Sequence, residues 1–191
     1  MRKCEIDANF DVLLNNSLVE MYSKCGSLRM AVQVFEAMSR WDVNSWNEMI
    51  LGFAMHGEVE RVFEHFSRMI DEEKLMPNSI TFVGIFSMCN HRGLVDKGRK
   101  YFETMVNEYN IKPVLQHYGC LIDLLARNGQ IKEALDIVSN MPIKLDALIW
   151  KSLLDACRKN NMGLELSKEL AIQIMESDGD SCSGVYVLLS R

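Results

Sequence analysis

Apolar residues recur along the chain at helical spacing, in pairs of stripes separated by short breaks. In one such pair the first stripe consists of Trp46, Met49, Ile50 and Phe53 and the second of Val59, Val62, Phe63, Phe66 and Met69. Gly57 separates the two stripes, and Pro77 follows the second. Residues spaced by three and four lie on one face of an α-helix, and glycine is the usual residue just past a helix end. The pattern predicts two amphipathic helices joined by a tight turn, and we find no strand signal.

This helix pair is repeated along the chain. Glycines at predicted helix ends (Gly26, Gly57, Gly93, Gly129) follow one another at steps of 31, 36 and 36 residues, and Asn161 takes a fifth such position. The aromatic series Trp46, Phe82, Tyr118, Trp150 and the methionine series Met38, Met69, Met105, Met141 keep nearly the same steps. A shared period is expected when one supersecondary unit is copied and stacked. The sequence therefore predicts an all-α fold, a right-handed α-solenoid of stacked helix-turn-helix repeats with an apolar core.

The period divides the chain into units. Residues 1–11 are predicted to be the tail of a preceding repeat, residues 12–42, 43–78, 79–114 and 115–146 to be repeats, residues 147–181 a related motif, and residues 182–191 the truncated start of another. Prolines occur only at the ends of units, where a helix must stop.

Composition limits the classes of function. The chain is 48% apolar and 25% charged, as in folded soluble proteins, and its net charge of -5 gives no nonspecific attraction to polyanions. No apolar run reaches the ~18 residues that span a bilayer, so we expect no membrane partner, and the first residues do not resemble a leader.

Metal and catalytic signatures are missing from the sequence. The six cysteines contain no C-x-x-C pair, and we expect them to be small buried residues in a reducing compartment. The four histidines have no partner cysteines at ligand spacing, so we predict no metal and no cofactor. The zinc deaminase signature, H-x-E followed by P-C-x-x-C, is incomplete without the cysteine pair, and we predict neither an enzyme nor a small-molecule substrate.

The repeat type is indicated by its residues. The tetratricopeptide pattern W-x-x-L-G-x-x-Y is missing, and "SWNEMILGFAMHGEVERVFEHFSRM" instead resembles a pentatricopeptide repeat. "NSLVEMYSKCGSLRMAVQVFEAM" is similar to the short motif of the plant PLS subclass, in which short, standard and long repeats alternate. "ALIWKSLLDACRKNNMGLELSKELAIQIME", from Ala147, resembles the E motif that follows those repeats, and no DYW deaminase domain follows it in this chain.

The resemblance implies that the fifth and the last residue of a repeat together choose one base of single-stranded RNA. These residues are Asn16 with Asp42 in the first unit and Asn47 with Asn78 in the second. In this family Asn with Asp favours uracil and Asn with Asn favours cytosine, so the expected reading is U then C. A capping or inter-repeat hydrogen bond is the alternative role for the two asparagines Asn16 and Asn47.

Other positions are implied to be weaker RNA contacts. Apolar second residues such as Leu13 and Ile80 would wedge between bases, while Asn44 would do so poorly. The later units have fifth residues that cannot hydrogen-bond a base edge through a side chain, and the full weak set is Leu13, Asn44, Ile80, Val83, Val114, Gly119 and Asp146.

The function that the resemblance implies is that of a sequence-specific RNA-binding factor in a mitochondrion or chloroplast, with a transit peptide outside this chain. It would select cytidines for C-to-U editing and recruit a deaminase or accessory protein in trans through the motif beginning at Ala147. The alternative is a helical scaffold that binds a protein or peptide without RNA recognition. Net acidity favours the scaffold, and the Asn/Asp pairs favour RNA.

Overall fold

The computed structural model describes the backbone of residues 2–143 and 147–159, with side chains described over 11–143 and 149–156. Within these ranges the regular secondary structure is entirely α-helical. The helices are α1 (Arg2–Lys24), α2 (Leu28–Glu36), α3 (Val43–Met55), α4 (Val59–Asp71), α5 (Ser79–Arg92), α6 (Val95–Asn107), α7 (Leu115–Arg127), α8 (Ile131–Asn140) and α9 (Ala147–Lys159). The chain forms two compact units, Met1–Cys120 and Leu121–Arg191. The predicted all-α class of helix-turn-helix repeats is confirmed.

Glycines end the first helix of successive pairs. Gly26, Gly57, Gly93 and Gly129 have φ of 78°, 72°, 65° and 78°, in the left-handed region where a Cβ is costly. The helix ends predicted at these four glycines are confirmed. Asn161, the fifth predicted end, lies outside the described residues.

Two residues other than glycine also adopt the left-handed conformation. Lys74 has φ of 54° and Asn110 has φ of 53°, and each occupies the same place in its 36-residue unit. After each of them a backbone N–H returns to the preceding helix: Leu75 donates to the Met69 carbonyl at 3.0 Å, and Ile111 makes the equivalent bond. The two longer units therefore end in the same turn.

Helix α1 is longer than the repeat pattern predicts. It runs from Arg2 to Lys24 without a break, so the unit boundary predicted at Val12 does not coincide with a helix end. The physical reason is that neither glycine nor proline occurs between Arg2 and Lys24 to stop the helix.

In the first compact unit, helices pack both within and between pairs. Helix α1 packs on α2, α3 on α4 and α5 on α6, and the first helices of successive pairs also pack side by side, α1 on α3 and α3 on α5. The largest fully buried side chains of this unit are Trp46, Phe35, Phe53, Phe82, Phe86, Met49, Ile50, Met69, Ile85, Met88 and Met105. Each such side chain contributes about 1.5–3 kcal/mol when it leaves water. The predicted core roles of Trp46, Phe82, Met69 and Met105 are confirmed, whereas Tyr118 and Met141 are only half-buried.

Aromatic rings join one pair of helices to the next. Phe35 of α2 meets Trp46 of α3 edge to face, with ring centroids 5.0 Å apart, and Phe66 of α4 meets Phe82 of α5 at 5.8 Å. Edge-to-face pairs stabilise a contact by about 0.5–1.5 kcal/mol beyond the area they bury. The rings thus connect neighbouring repeats as well as filling them.

Glycines inside α3 and α5 allow the first helices to approach closely. A Cβ added at Gly84 would lie 2.8 Å from Cγ2 of Ile50 on α3, and one added at Gly52 would lie 2.5 Å from Oγ of Ser23 on α1. Both distances are shorter than a van der Waals contact. Close packing of the first helices holds equivalent positions of successive units opposite each other.

In the second compact unit, the C-terminal part of α7 supplies buried Ile122 and Leu125, and α8 supplies Ile131 and Ala134. Helix α9 packs against α8. The Ser152 hydroxyl of α9 donates to the Asp123 carboxylate of α7. Beyond Lys159, the predicted motif of residues 147–181 and the segment 182–191 lie outside the described residues.

The cysteines do not share one environment. Cys89 is buried, as expected, and burial raises the pKa of its thiol to about 11. The expectation of buried cysteines is wrong for Cys25, which is exposed because it lies at the end of α1 beside the Gly26 turn.

Over the described ranges, three or more His, Cys, Asp or Glu side chains nowhere cluster in a metal-binding arrangement. Length and hydropathy rule out a bilayer-crossing helix in the same ranges.

Candidate nucleic-acid interface

The first predicted reading pair is brought together where the first unit meets the second. The side-chain amide of Asn16 on α1 donates to Oδ1 of Asp42 at 3.2 Å. Asp42 is also the N-cap of α3: its Oδ1 accepts from the Ser45 backbone N–H at 2.8 Å and from the Ser45 hydroxyl at 2.9 Å. The Asp42 backbone N–H donates back to the Ser45 hydroxyl at 3.1 Å, which completes a capping box. We call this cluster of Asn16, Asp42 and Ser45 junction 1.

Asp42 is held in its charged form at junction 1. Burial raises the pKa of its carboxyl, but the hydrogen bonds from Ser45 and Asn16 outweigh burial and hold the pKa below its usual value. Junction 1 therefore presents a carboxylate at the start of a helix, where the helix dipole favours negative charge.

The second predicted pair meets in the same way between the second and third units. The Asn47 amide donates to Oδ1 of Asn78 at 3.1 Å. Asn78 is the N-cap of α5, and its Oδ1 accepts from the backbone N–H groups of Ile80 at 3.0 Å and Thr81 at 3.2 Å. The Asn78 backbone N–H donates to the Thr81 hydroxyl at 3.0 Å. We call the cluster of Asn47, Asn78 and Thr81 junction 2.

The two junctions differ at the side-chain oxygen of the asparagine. At junction 2 the Thr81 hydroxyl donates to Oδ1 of Asn47 at 2.6 Å. At junction 1, Oδ1 of Asn16 is buried and has no hydrogen-bond partner among the described side chains. A buried acceptor without a donor is uncommon and is a place where a ligand can bind.

Both asparagines are less accessible than the sequence suggests. Asn16 is 8% exposed and Asn47 is 1% exposed, because each lies between two packed first helices. Their caps Asp42 and Asn78 are half-buried. The inter-repeat hydrogen bond considered as an alternative role for Asn16 and Asn47 is present at both junctions.

The third junction lacks a polar pair. Its fifth and last residues are Val83, which is half-buried, and Val114, which is exposed. In the following unit the equivalent Gly119 is half-buried, and Asp146 lies outside the described residues. His117 replaces the capping hydroxyl: its Nδ1 accepts from the Val114 backbone N–H at 3.1 Å, and its Nε2 lies 2.9 Å from the Ser79 carbonyl.

This geometry requires a neutral His117 ring. Since Nδ1 accepts a hydrogen bond, the proton must be on Nε2, which donates to the Ser79 carbonyl. The ring is fully buried, and burial lowers the pKa of His117.

Sequence reasoning missed the residue that completes each junction. Ser45, Thr81 and His117 each occupy the third position of a unit and are buried. The available signal was the capping-box spacing, D-x-x-S from Asp42 and N-x-x-T from Asn78.

The predicted wedge positions lie on the surface of the first helices. Leu13 is 63% exposed and Ile80 is 47% exposed, while Asn44 and Gln116 at the same position are exposed polar residues. Each lies three residues before its unit's fifth residue, hence on the same helix face. Exposed apolar side chains beside the reading pairs are suited to contact with a flat ring.

A family model and a relative of known sequence match the chain over its predicted repeats. The family model of the PPR repeat matches residues 16–43, 44–73 and 117–144, which fall in the first, second and fourth predicted units to within one residue. A pentatricopeptide repeat-containing protein of Arabidopsis thaliana, described as chloroplastic/mitochondrial, is 57% identical over 198 residues, covering 100% of this chain and 31% of the relative. The chain thus spans about a third of the relative's length.

Two solved structures are similar in fold. The pentatricopeptide repeat protein PPR10, known from maize, in complex with an 18-nucleotide psaJ RNA element has a TM-score of 0.76 at 21% identity, with 93% of this chain and 27% of that chain covered. The PPR domain of the Arabidopsis thaliana protein-only RNase P 1 in complex with tRNA has a TM-score of 0.74 at 15% identity, with 94% and 97% covered. At these identities the likeness shows the fold alone, and it is the repeat fold that the sequence predicted.

Proposed function

The chain contains pentatricopeptide repeats and belongs to the pentatricopeptide repeat proteins, and on that premise we propose that it binds single-stranded RNA and reads one base at junction 1 and one at junction 2. The observation that carries the proposal is the pairing of the fifth residue of one unit with its last residue, at 3.2 Å in junction 1 and 3.1 Å in junction 2. The same contact made twice, one repeat apart, is what a sequential reader of bases requires.

The polar atoms left open at junction 1 are acceptors. Oδ1 of Asn16 has no partner in the part of the chain whose side chains are described, and the Asp42 carboxylate is charged. A base edge with an N–H donor complements them, and uracil offers such a donor between two carbonyl groups. The chemistry of junction 1 supports the reading of uracil.

At junction 2 the open group is a donor. Oδ1 of Asn47 already accepts from Thr81, and Oδ1 of Asn78 accepts from the α5 backbone and from Asn47. The Nδ2 group of Asn78 donates to no other group in the described part of the chain, so it is left for a base acceptor. Cytosine offers such acceptors at its ring nitrogen and carbonyl oxygen, which supports the order U then C.

The burial of Asn47 assigns different tasks to the two members of its pair. Since Asn47 is 1% exposed and Asn78 is half-buried, a base meets Asn78 first. Asn47 fixes the orientation of Asn78 through the 3.1 Å hydrogen bond. Leu13 and Ile80, exposed on the same helix face, then support the rings of neighbouring bases.

The finer part of the proposal concerns the role of the RNA contact in the cell. The chain is a segment of a PLS-subclass factor with the repeat boundaries given above, which selects cytidines for editing in a chloroplast or mitochondrion. The E motif beginning at Ala147 recruits the deaminase in trans, and α9 is its first helix. Support comes from the repeat lengths and from the chloroplastic/mitochondrial name of the relative.

The experiment is fluorescence anisotropy with short single-stranded RNAs that differ only at two adjacent bases. The wild type should prefer U-C over C-U, and Asn78→Asp should move the preference at the second base toward U, because it makes junction 2 resemble junction 1. Ser27→Ala is the matched control, since Ser27 caps α2 without a side-chain hydrogen bond. Equal affinity for all sequences would overturn base reading, and no RNA binding at all would favour the peptide scaffold.

A further inference from the structure

One buried hydroxyl lies in each of the two polar junctions and makes a different bond in each. Ser45 and Thr81 are both fully buried, and both accept the backbone N–H of their N-cap residue. Their role in capping the helix is therefore the same. Their single hydroxyl hydrogens point to different acceptors.

At junction 2 the hydrogen goes across the repeat boundary. The Thr81 oxygen lies 2.6 Å from Oδ1 of Asn47 and 3.3 Å from Oδ1 of Asn78. A hydroxyl has one hydrogen to donate, and the shorter contact receives it. The acceptor of Asn47 is thereby filled from inside the protein.

At junction 1 the hydrogen stays within its own unit's cap. The Ser45 hydroxyl donates to the Asp42 carboxylate at 2.9 Å, and no described side chain donates to Oδ1 of Asn16. A charged acceptor makes the stronger hydrogen bond, so a carboxylate at the cap holds the hydroxyl hydrogen. A neutral amide at the cap makes a weaker hydrogen bond, so the hydroxyl hydrogen is donated to the asparagine of the preceding unit instead.

The orientations of the two asparagine amides are set by their neighbours. Oδ1 of Asn78 accepts backbone N–H groups and Oδ1 of Asp42 can only accept, so Asn47 and Asn16 must turn their NH₂ groups toward these caps. The oxygen of each asparagine then faces away from the cap. It is filled at junction 2 and open at junction 1.

We propose that the buried hydroxyl residue at the third position of a repeat is a specificity-determining positioning residue. Its hydroxyl either donates to Oδ1 of the preceding unit's asparagine or leaves that oxygen unfilled. This difference selects the base edge that binds at the junction. This inference rests on the RNA-binding function proposed above. Thr81 acts through Asn47, so that junction 2 binds a base edge that carries hydrogen-bond acceptors. Ser45 leaves Oδ1 of Asn16 unfilled by any described side chain.

The test uses two variants that each remove the buried hydroxyl of one junction. Thr81→Val and Ser45→Ala each delete one buried hydroxyl and one capping-box bond. Only Thr81→Val opens an asparagine acceptor, because Oδ1 of Asn16 is open already. Thr81→Ser, which keeps the hydroxyl, is the control.

The measurement is the affinity of each variant of this 191-residue chain for RNAs that vary at one base at a time. For Thr81→Val we expect the U-to-C affinity ratio at the junction 2 base to rise about 3- to 10-fold, the effect of exchanging one hydrogen bond. For Thr81→Val we expect no change at the junction 1 base, and for Thr81→Ser no change at either base. Ser45→Ala, which lies at the other junction, should leave the ratio at the junction 2 base unchanged. A purely structural role would instead weaken binding for all bases alike in both deletion variants.

The outcomes separate the two proposals. If the wild type does not bind RNA, the proposed function is wrong. If the wild type prefers U-C and Thr81→Val keeps the same U-to-C affinity ratio, only this inference is wrong.

If Thr81→Val fails to fold, the side-chain carbonyl ¹³C shifts of the wild type decide. The Asn47 signal should lie downfield of the Asn16 signal because only Asn47 accepts a hydrogen bond, and equal shifts would contradict the assignment.

Discussion

Replacing Asn78 by alanine tests the double role of the cap at junction 2. Its Oδ1 caps α5 through the N–H groups of Ile80 and Thr81 and also accepts the buried amide of Asn47. Alanine removes an N-cap, which costs about 1 kcal/mol. It also leaves the Asn47 amide buried without that acceptor, at a further cost of about 1–3 kcal/mol. We expect Asn78→Ala to lower the free energy of unfolding by about 2–4 kcal/mol.

Two variants show where that loss comes from. Asn78→Asp keeps the acceptor oxygen and adds negative charge at the start of α5, so we expect a change within about 0.5 kcal/mol. Ser27→Ala alters an N-cap that makes no side-chain hydrogen bond, and we also expect a change within about 0.5 kcal/mol.

The assay combines urea unfolding, followed by circular dichroism, with amide hydrogen exchange. Exchange at the N–H groups of Ile80 and Thr81 should accelerate in Asn78→Ala and stay slow in Asn78→Asp, because both groups donate to Oδ1. Repeat arrays can unfold in steps, so the exchange data locate the effect at α5. An Asn78→Ala variant no less stable than Ser27→Ala would refute the reasoning.

Three further changes have defined outcomes. Burial lowers the pKa of His117 from 6.5, so the stability contributed by the neutral ring is fully present above about pH 6.5 and falls as the pH drops below that value. Urea unfolding at several pH values should show this loss of stability toward low pH. The pH dependence should be smaller in His117→Thr. Lys74→Gly should raise the free energy of unfolding by about 0.5–1 kcal/mol in the same assay, because Lys74 is held at φ of 54°. Gly84→Ala should lower it by about 1–3 kcal/mol, because the new Cβ would lie 2.8 Å from Ile50.

Each of these expectations has its own contradicting result. The same pH slope in His117→Thr as in the wild type would show that other groups carry it. A less stable Lys74→Gly would mean that the lysine side chain makes an important contact. An unchanged Gly84→Ala would show that α3 and α5 can move apart without loss, whereas Gly52→Ala meets the side-chain oxygen of Ser23 and should cost less.

Much of the fold could be predicted because its signals are local. The glycines with positive φ, among them Gly57 and Gly93, mark helix ends through a property of their own backbone. The stripes containing Trp46 and Phe82 give the buried helix faces directly. The start of α1 was not predicted, because the repeat period indicated a boundary at Val12 where no residue stops a helix.

The candidate site was predicted only as a set of positions. The pairs at junctions 1 and 2 could be named from their places in the repeat, and the structure brings each pair within hydrogen-bond distance. Their burial was not foreseen, because the exposure of Asn47 depends on how closely α3 and α5 pack. Neither was the contribution of Thr81, which reaches an atom of the preceding unit.

The sequence by itself thus determined the helix pairs and the asparagine and cap positions at junctions 1 and 2, because helix and repeat signals can be read from the chain without its packing. The tertiary structure decided which hydrogen-bonding atoms are filled and which stay open. Thr81 and Asn47 are 34 residues apart in the chain, and Asn16 and Asp42 are 26 apart. The Thr81 hydroxyl hydrogen goes to Asn47 because that acceptor lies at 2.6 Å and Oδ1 of Asn78 at 3.3 Å, and only the packing of successive first helices brings Asn47 so near.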